Sequence, residues 1–386
     1  MPQRDIALAL SGGGHRAAYF NLGVLRKLHE LDLLNRVAVI SSVSGGSIVA
    51  GAYAQALAVS DDFDAFFEKA CDFLEERTID VPAVLRALLP WTSSSRHLER
   101  VFGKFYRNNE GRLTRMSDLS EFDCPRFVFN ATAVHNGRGW RFISGGAVEE
   151  WELGQTHDAA YTVAVDRYAY DATLAKAVTA STAFPVFSAV TIPREELRDI
   201  KEVGTGESRH FYQELTDPVR LSDGGVRDNT GLTSILAGHQ PPGFESDYFL
   251  IGSDAGSVIN RLIKPPSGRV RKFKYLMRQF EIRGHHNNRI IVAFALREHR
   301  MRRGSDKGIA MLRIDEPAIG AAQPAELVGR LSRVSTRLKS PGWNVAQELM
   351  NHGADLLWAR VSEYTHLLSP EQMMPHVHSR PHKDED

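Results

Sequence analysis

Apolar residues recur along this chain in two alternating rhythms. Ile6 to Leu10 (IALAL) is a short unbroken apolar run closed by Ser-Gly-Gly-Gly, the mark of a buried strand that ends in a turn. Behind it, Ala17, Ala18, Leu22, Val24, Leu25 and Leu28 fall near one helical face. The scheme repeats at once: RVAVISSV (36–43) reads as a second buried strand and SIVAGAYAQALA (47–58) as a second helix. A β-α-β-α opening predicts a parallel sheet with helices on its faces.

The pattern then changes. Phe63, Phe66, Phe67, Ala70, Phe73 and Leu74 follow i, i+3, i+4 spacing, and two more helical pieces follow, VPAVLRALLPW (81–91) and HLERVFGKFY (97–106). With no strand signal between them, residues 61–119 read as a helical insertion able to cap the sheet edge. Strands return at RFVFNATAVHNGRGWRFIS (126–144), folded about Asn136-Gly137. A small-residue helix comes next, ending near Phe184-Pro185. VRLSDGGVRDNTGLTSILAG (219–238) reads as strand, glycine turn and helix, and SDYFLIGSDAGS (246–257) as a further strand. Two or three helices follow, in AELVGRLSRVSTRL (325–338) and WNVAQELMNHGADLLWARVSEYTHLL (343–368). The fold predicted is one α/β domain over 1–370. It has three layers, a mostly parallel central sheet, the helical insertion and a helical C-terminal part. Residues 371–386 form a polar, disordered tail.

Composition narrows the function classes. The chain has 386 residues, 42% apolar, and formal net charge zero. That suits a large globular core and argues against general nucleic-acid binding. Two cysteines without a CxxC spacing predict no disulfide framework and a reducing compartment. The N-terminal apolar run is too short for a signal segment, and no stretch of about 18 apolar residues appears. A cytoplasmic protein follows, in contact with a membrane only peripherally, on its inner face. The charge is unevenly spread, however. Residues 261–303 hold thirteen Arg and Lys against Glu281 and Glu298, a surplus of eleven that the remainder balances. This segment has two readings of equal standing: a peripheral contact with an anionic membrane, or a solvated helix paired with acidic neighbours.

Three short stretches carry candidate chemistry. In Ser42-Val43-Ser44-Gly45-Gly46 a serine sits between a strand and a helix, as a nucleophile on a sharp turn would. Ser42 stands where the G-x-S-x-G pattern has its first glycine. Alone, the stretch is equally an N-cap in a glycine-rich loop. In Ser11-Gly12-Gly13-Gly14-His15-Arg16, three glycines bare several N–H groups, suited to an anion. Gly12, Gly14 and Ala17 also fit a dinucleotide fingerprint, but the second strand ends in serines where that fingerprint needs an acidic residue. In Ser222-Asp223-Gly224-Gly225 a carboxylate ends a strand with unobstructed backbone behind it. It reads as a base in a dry site or as a simple Asx turn.

Together these stretches resemble the patatin-like phospholipase family. The residues that carry the resemblance are Gly12, Gly13, Gly14 and Arg16 near the start, Ser44 about 30 residues on, Ala180-Ser181-x-x-x-Pro185 in mid-chain, and Asp223-Gly-Gly. It covers residues 5–235 strongly. The resemblance implies a Ser44–Asp223 dyad with no catalytic histidine. It implies an oxyanion hole at Gly12, Gly13 and Gly14 with Arg16 fixing that loop, no cofactor and no metal. The activity implied is hydrolysis of a fatty-acyl ester, foremost of a glycerophospholipid. Lysophospholipase, neutral-lipid esterase and thioesterase are alternatives on the same dyad. A dinucleotide-binding oxidoreductase and a catalytically silent scaffold are alternatives of other classes. Asp254 ranks behind Asp223 as the base because no double glycine follows it. His15, His135, His285, His286 and His299 have no sequence context that completes a triad.

Overall fold

A computed structural model describes residues 4–76, 94–121, 124–135, 137–143, 146–155, 161–185, 189–199, 218–236, 248–256, 271–302, 308–318, 323–336, 338–364 and 367–368. At its centre five parallel strands lie in the order β11-β10-β1-β2-β3. They are β1 (Ile6–Leu10), β2 (Val37–Val43), β3 (Arg126–Ala133), β10 (Phe249–Asp254) and β11 (Ile309–Arg313). Every residue of β1 and β2 is buried, as a strand covered on both faces requires.

Side chains alternate across this sheet and separate two cores. Ile6, Leu8 and Leu10 face one way, into a large cluster with α1 (Gly14–Glu30), α2 (Gly45–Ala58), α3 (Phe63–Glu76), α4 (Ser94–Phe105), α5 (Leu174–Thr182) and α9 (Trp343–Val361). Ala7 and Ala9 face the other way, into a smaller cluster with α6 (Leu232–Leu236) and α7 (Arg271–Arg302). In β1 the two faces thus carry large and small side chains respectively. Helices α1 and α9 press together closely. A side chain on Gly23 would strike the backbone of Met350, and one on Gly353 would strike the carbonyl of Phe20. α8 (Ala325–Leu331) is a short helix before α9 that covers the first half of the predicted 325–338 helix.

Beyond β3 the sheet turns antiparallel. β4 (Gly139–Ile143) pairs with β3 as the predicted hairpin. β5 (Gly146–Gln155), β6 (Tyr161–Ala169) and β8 (Arg198–Asp199) continue outward. β5 and β6 are not among the predicted strands; in β5, Glu149, Glu150 and Glu152 interrupt the apolar pattern. β9 (Val219–Asp223) runs antiparallel to β3 and to β7 (Val190–Ile192), and pairs Asp223 with Ala131. The site's carboxylate therefore belongs to the sheet itself. In the 61–119 region, α3 packs on α1 and α2, α4 packs on α5, and both helices join the large core. The predicted helix at 81–91 and the tail at 371–386 lie outside the described residues. Among the described residues no helix is long and apolar enough to cross a membrane.

Candidate active site

Ser44 follows β2 and caps α2 with φ 48° and ψ −116°. A non-glycine residue held in such a region costs of order 1–3 kcal/mol. Its neighbours enforce the turn: a side chain on Gly45 would collide with the carbonyl of Gly14, and one on Gly46 with the carbonyls of Leu10 and Ser11. The first turn of α2 consequently lies against the glycine loop. The half-buried Ser44 hydroxyl lies close enough to Asp223 to oppose the effect of burial on its carboxyl.

Asp223 is 3% exposed. Its backbone N–H donates to the carbonyl of Ala183 at 2.8 Å, and Thr132 Oγ1 donates to its carbonyl at 3.0 Å. Its Oδ1 accepts the N–H of Gly225 at 2.7 Å. Gly224 is required because a side chain there would meet the carbonyl of Asn130. Burial pushes the Asp223 carboxyl up to about 6, against the opposing pull of the Gly225 N–H and the Ser44 hydroxyl. A carboxylate of that strength is ionised near neutrality and still able to hold a proton there.

The glycine loop runs beside Ser44: a side chain on Gly12 would come within 3.0 Å of Ser44 Cβ. Gly13 and Gly14 adopt φ 137° and 60°, which favour glycine. Of the four residues proposed for the oxyanion hole, two have their donors occupied. The Gly12 N–H donates to the carbonyl of Asn229 at 2.9 Å. Arg16 uses all five N–H groups on carbonyls: two on Ala255, and one each on Gly256, Ser332 and Val334. Burial lowers its pKa to about 10, opposed by Asp254 and Asp315, so it stays charged near neutrality. Arg16 thus fixes the loop from behind. Among the described residues, the N–H groups of Gly13 and Gly14 have no protein partner. They open α1 at its positive dipole end.

Asp254 lies behind the glycine loop, on the side of Gly256 and Asn229. Its Oδ1 accepts the N–H of Gly256 at 3.3 Å, and the nearby Arg313 charge opposes the upward pull of burial on its carboxyl.

Four residues of the site carry no role in the sequence reading. Ser181 Oγ accepts the Ser44 backbone N–H at 3.1 Å and donates to the carbonyl of Asn130 at 2.6 Å. Ser47 Oγ lies 2.8 Å from Ser181 Oγ and 3.0 Å from Ser42 Oγ. Asn130 Nδ2 donates to Ser41 Oγ and to the carbonyl of Ser42, at 2.9 and 2.7 Å. These buried polar groups form a floor beneath the turn. Ser42 belongs to that floor as an ordinary strand residue without positive φ, so no glycine is needed at its position. Asn229 joins the two glycine motifs: its carbonyl accepts from Gly12, and its Nδ2 donates to the carbonyl of Gly12 at 3.3 Å.

A hydroxyl on a strained strand-to-helix turn, a buried carboxylate and two bare N–H groups at a helix start are the elements of a hydrolytic site. The patatin-like phospholipase family model matches residues 8–236, and the chain belongs to that family. No curated protein sequence matches it. Similar solved structures include VipD from Legionella pneumophila, at 14% identity and TM-score 0.44, over 94% of this chain and 67% of that one. Human GIVD cytosolic phospholipase A2 is similar at 12% identity and TM-score 0.49, over 96% of this chain and 60% of that one. ExoU from Pseudomonas aeruginosa, in complex with SpcU, is similar at 17% identity and TM-score 0.27, over 75% and 51%.

Proposed function

We propose that the chain hydrolyses fatty-acyl esters of glycerophospholipids through Ser44 and Asp223, meeting its substrate peripherally at a bilayer from the cytoplasmic side. The observation that supports this reading is the closeness of the Ser44 hydroxyl to the buried carboxyl of Asp223, which burial pushes up to about 6. In the reaction, Ser44 Oγ attacks the ester carbonyl carbon while its proton passes to Asp223. The N–H groups of Gly13 and Gly14 receive the charge that develops on the carbonyl oxygen. Collapse of the tetrahedral intermediate leaves the acyl group on Ser44 and expels the lipid alcohol, which takes the proton back from Asp223. A water then gives a proton to Asp223 and attacks the acyl carbon, which frees the fatty acid and restores the hydroxyl.

Labelling with a fluorophosphonate probe and mapping of the modified peptide tests the reading. The adduct is expected on Ser44 and absent from Ser44→Ala; an adduct on another serine overturns the assignment. A head-group panel in vesicles, set against monomeric p-nitrophenyl and thioester substrates, separates a phospholipase from a lysophospholipase, neutral-lipid esterase or thioesterase.

A further inference from the structure

Helix α7, Arg271–Arg302, has two unlike sides. Its inward side is fixed by Ala295, fully buried, and Asn288, 4% exposed, with Ile291, Val292 and Leu296 packed on the smaller core. That side touches the catalytic loops. Asn287 Nδ2 donates to the carbonyl of Arg227, four residues after Asp223. Asn288 lies beside Gly256, where an added side chain would also meet Asn229 and Asp254.

Its outward side presents Tyr275, Ile282 and Ile290, 43%, 46% and 55% exposed. Their spacing of seven and eight residues keeps them on one stripe. Lys272, Arg283 and Arg289 are exposed along the same stripe. Seven large apolar side chains are exposed among the described residues; three belong to this helix, and two more, Phe184 and Val226, lie close in sequence to Ala183 and Asp223. The exposed apolar groups therefore gather on α7 and near the carboxylate.

The charge of the helix can now be judged. Nine basic residues stand against Glu281 and Glu298, and Glu281 pairs with Arg278 at 3.0 Å. Lys272, Arg283 and Arg289 make no ion pair among the described residues. Along the outward stripe, the basic side chains are therefore not neutralised by acidic neighbours among the described residues. Exposed apolar anchors flanked by exposed cations match the chemistry of an anionic lipid surface.

We propose that the outward stripe of α7 binds an anionic bilayer, with Tyr275, Ile282 and Ile290 entering the headgroup region and Lys272, Arg283 and Arg289 meeting the lipid phosphates. Because the inward side touches the loops that follow Asp223 and Asp254, docking holds those loops one helix away from the bilayer. The proposal rests on the lipid-ester reading above and names where that substrate is met.

The test is co-sedimentation with phosphatidylcholine vesicles and with vesicles of phosphatidylcholine containing about a third phosphatidylglycerol. The chain is expected to bind the second and not the first, and binding should weaken as salt rises. Ile282→Asp/Ile290→Asp and Arg283→Glu/Arg289→Glu should each weaken binding about tenfold or more. Leu113→Asp, exposed but off the helix, should not. Both double variants should hydrolyse a monomeric p-nitrophenyl ester at the unaltered rate, since the substituted side chains are exposed. Equal binding to both vesicles, no binding, or indifference to the α7 variants overturns the proposal. So does tight binding of an RNA oligonucleotide in place of vesicles. Binding is read without turnover, so failure of the Ser44 reading leaves its result standing, and loss of binding with ester turnover intact defeats this proposal alone.

Discussion

The backbone N–H of Ser44 donates to Ser181 Oγ, 3.1 Å away on the last part of α5. That bond turns the Ser44 amide into the protein, so it supports the turn rather than the oxyanion. Ser181→Ala should remove this support while leaving the substrate's binding surface in place. The expected result is a kcat lower by tenfold or more with KM nearly unchanged, and slower fluorophosphonate labelling. Stability should fall by about 1–3 kcal/mol, since the Ser44 N–H and the Asn130 carbonyl would lose a partner. Steady-state kinetics with urea unfolding checks both.

Asp223 predicts two opposite dependences on pH. Activity needs its carboxylate, so kcat/KM should rise with pH through an inflexion near 6. Stability runs the other way. The folded protein binds this proton more tightly than the unfolded chain, so this group's contribution falls as pH rises from about 4 to about 6. From the ordinary value of 3.8 to about 6, the loss is of order 3 kcal/mol. Asp223→Asn should abolish most turnover, yet unfold at higher temperature than the parent chain at pH 8. Full turnover in that variant would require another base.

Ser42→Gly restores the first glycine of G-x-S-x-G without need. The residue is buried in β2 and lies 3.0 Å from Ser47 Oγ. Glycine there loses a hydrogen-bond partner and adds chain entropy. The rate should not increase, and stability should drop by about 1–2 kcal/mol in chemical denaturation.

Arg16→Lys conserves the charge but not the fork. One ammonium cannot serve carbonyls of Ala255, Gly256, Ser332 and Val334 together. A loss of about 3 kcal/mol or more is expected, with reduced labelling of Ser44 as the glycine loop loosens. If labelling and unfolding midpoint are both unaltered, the fork does not hold the loop.

The parallel half of the sheet was readable because buried strands and their helices differ so sharply in period; Ile6–Leu10 and Val37–Val43 begin and end almost where the pattern says. The turns at Ser44 and Asp223 and the glycine loop were readable as turns for a different reason: a close backbone approach tolerates only glycine, and it leaves Gly45, Gly46 and Gly224 visible in the sequence. The supporting groups were not. Ser47, Asn130 and Asn229 are common polar residues whose meaning depends on which strands lie side by side. The destination of Arg16 was hidden too, because its acceptors at 255–256 and 332–334 are more than 200 residues away. β5 is hidden because its glutamates blur the alternation.

The interlock of Gly23 with Met350 and of Gly353 with Phe20 has a practical consequence for anyone handling this protein. A polypeptide stopped at residue 236, where the family match ends, would keep every group assigned to catalysis and still leave one flank of α1 bare. Recognisable motif and self-sufficient folding unit are different things here, and expression boundaries drawn on the first should yield an insoluble product.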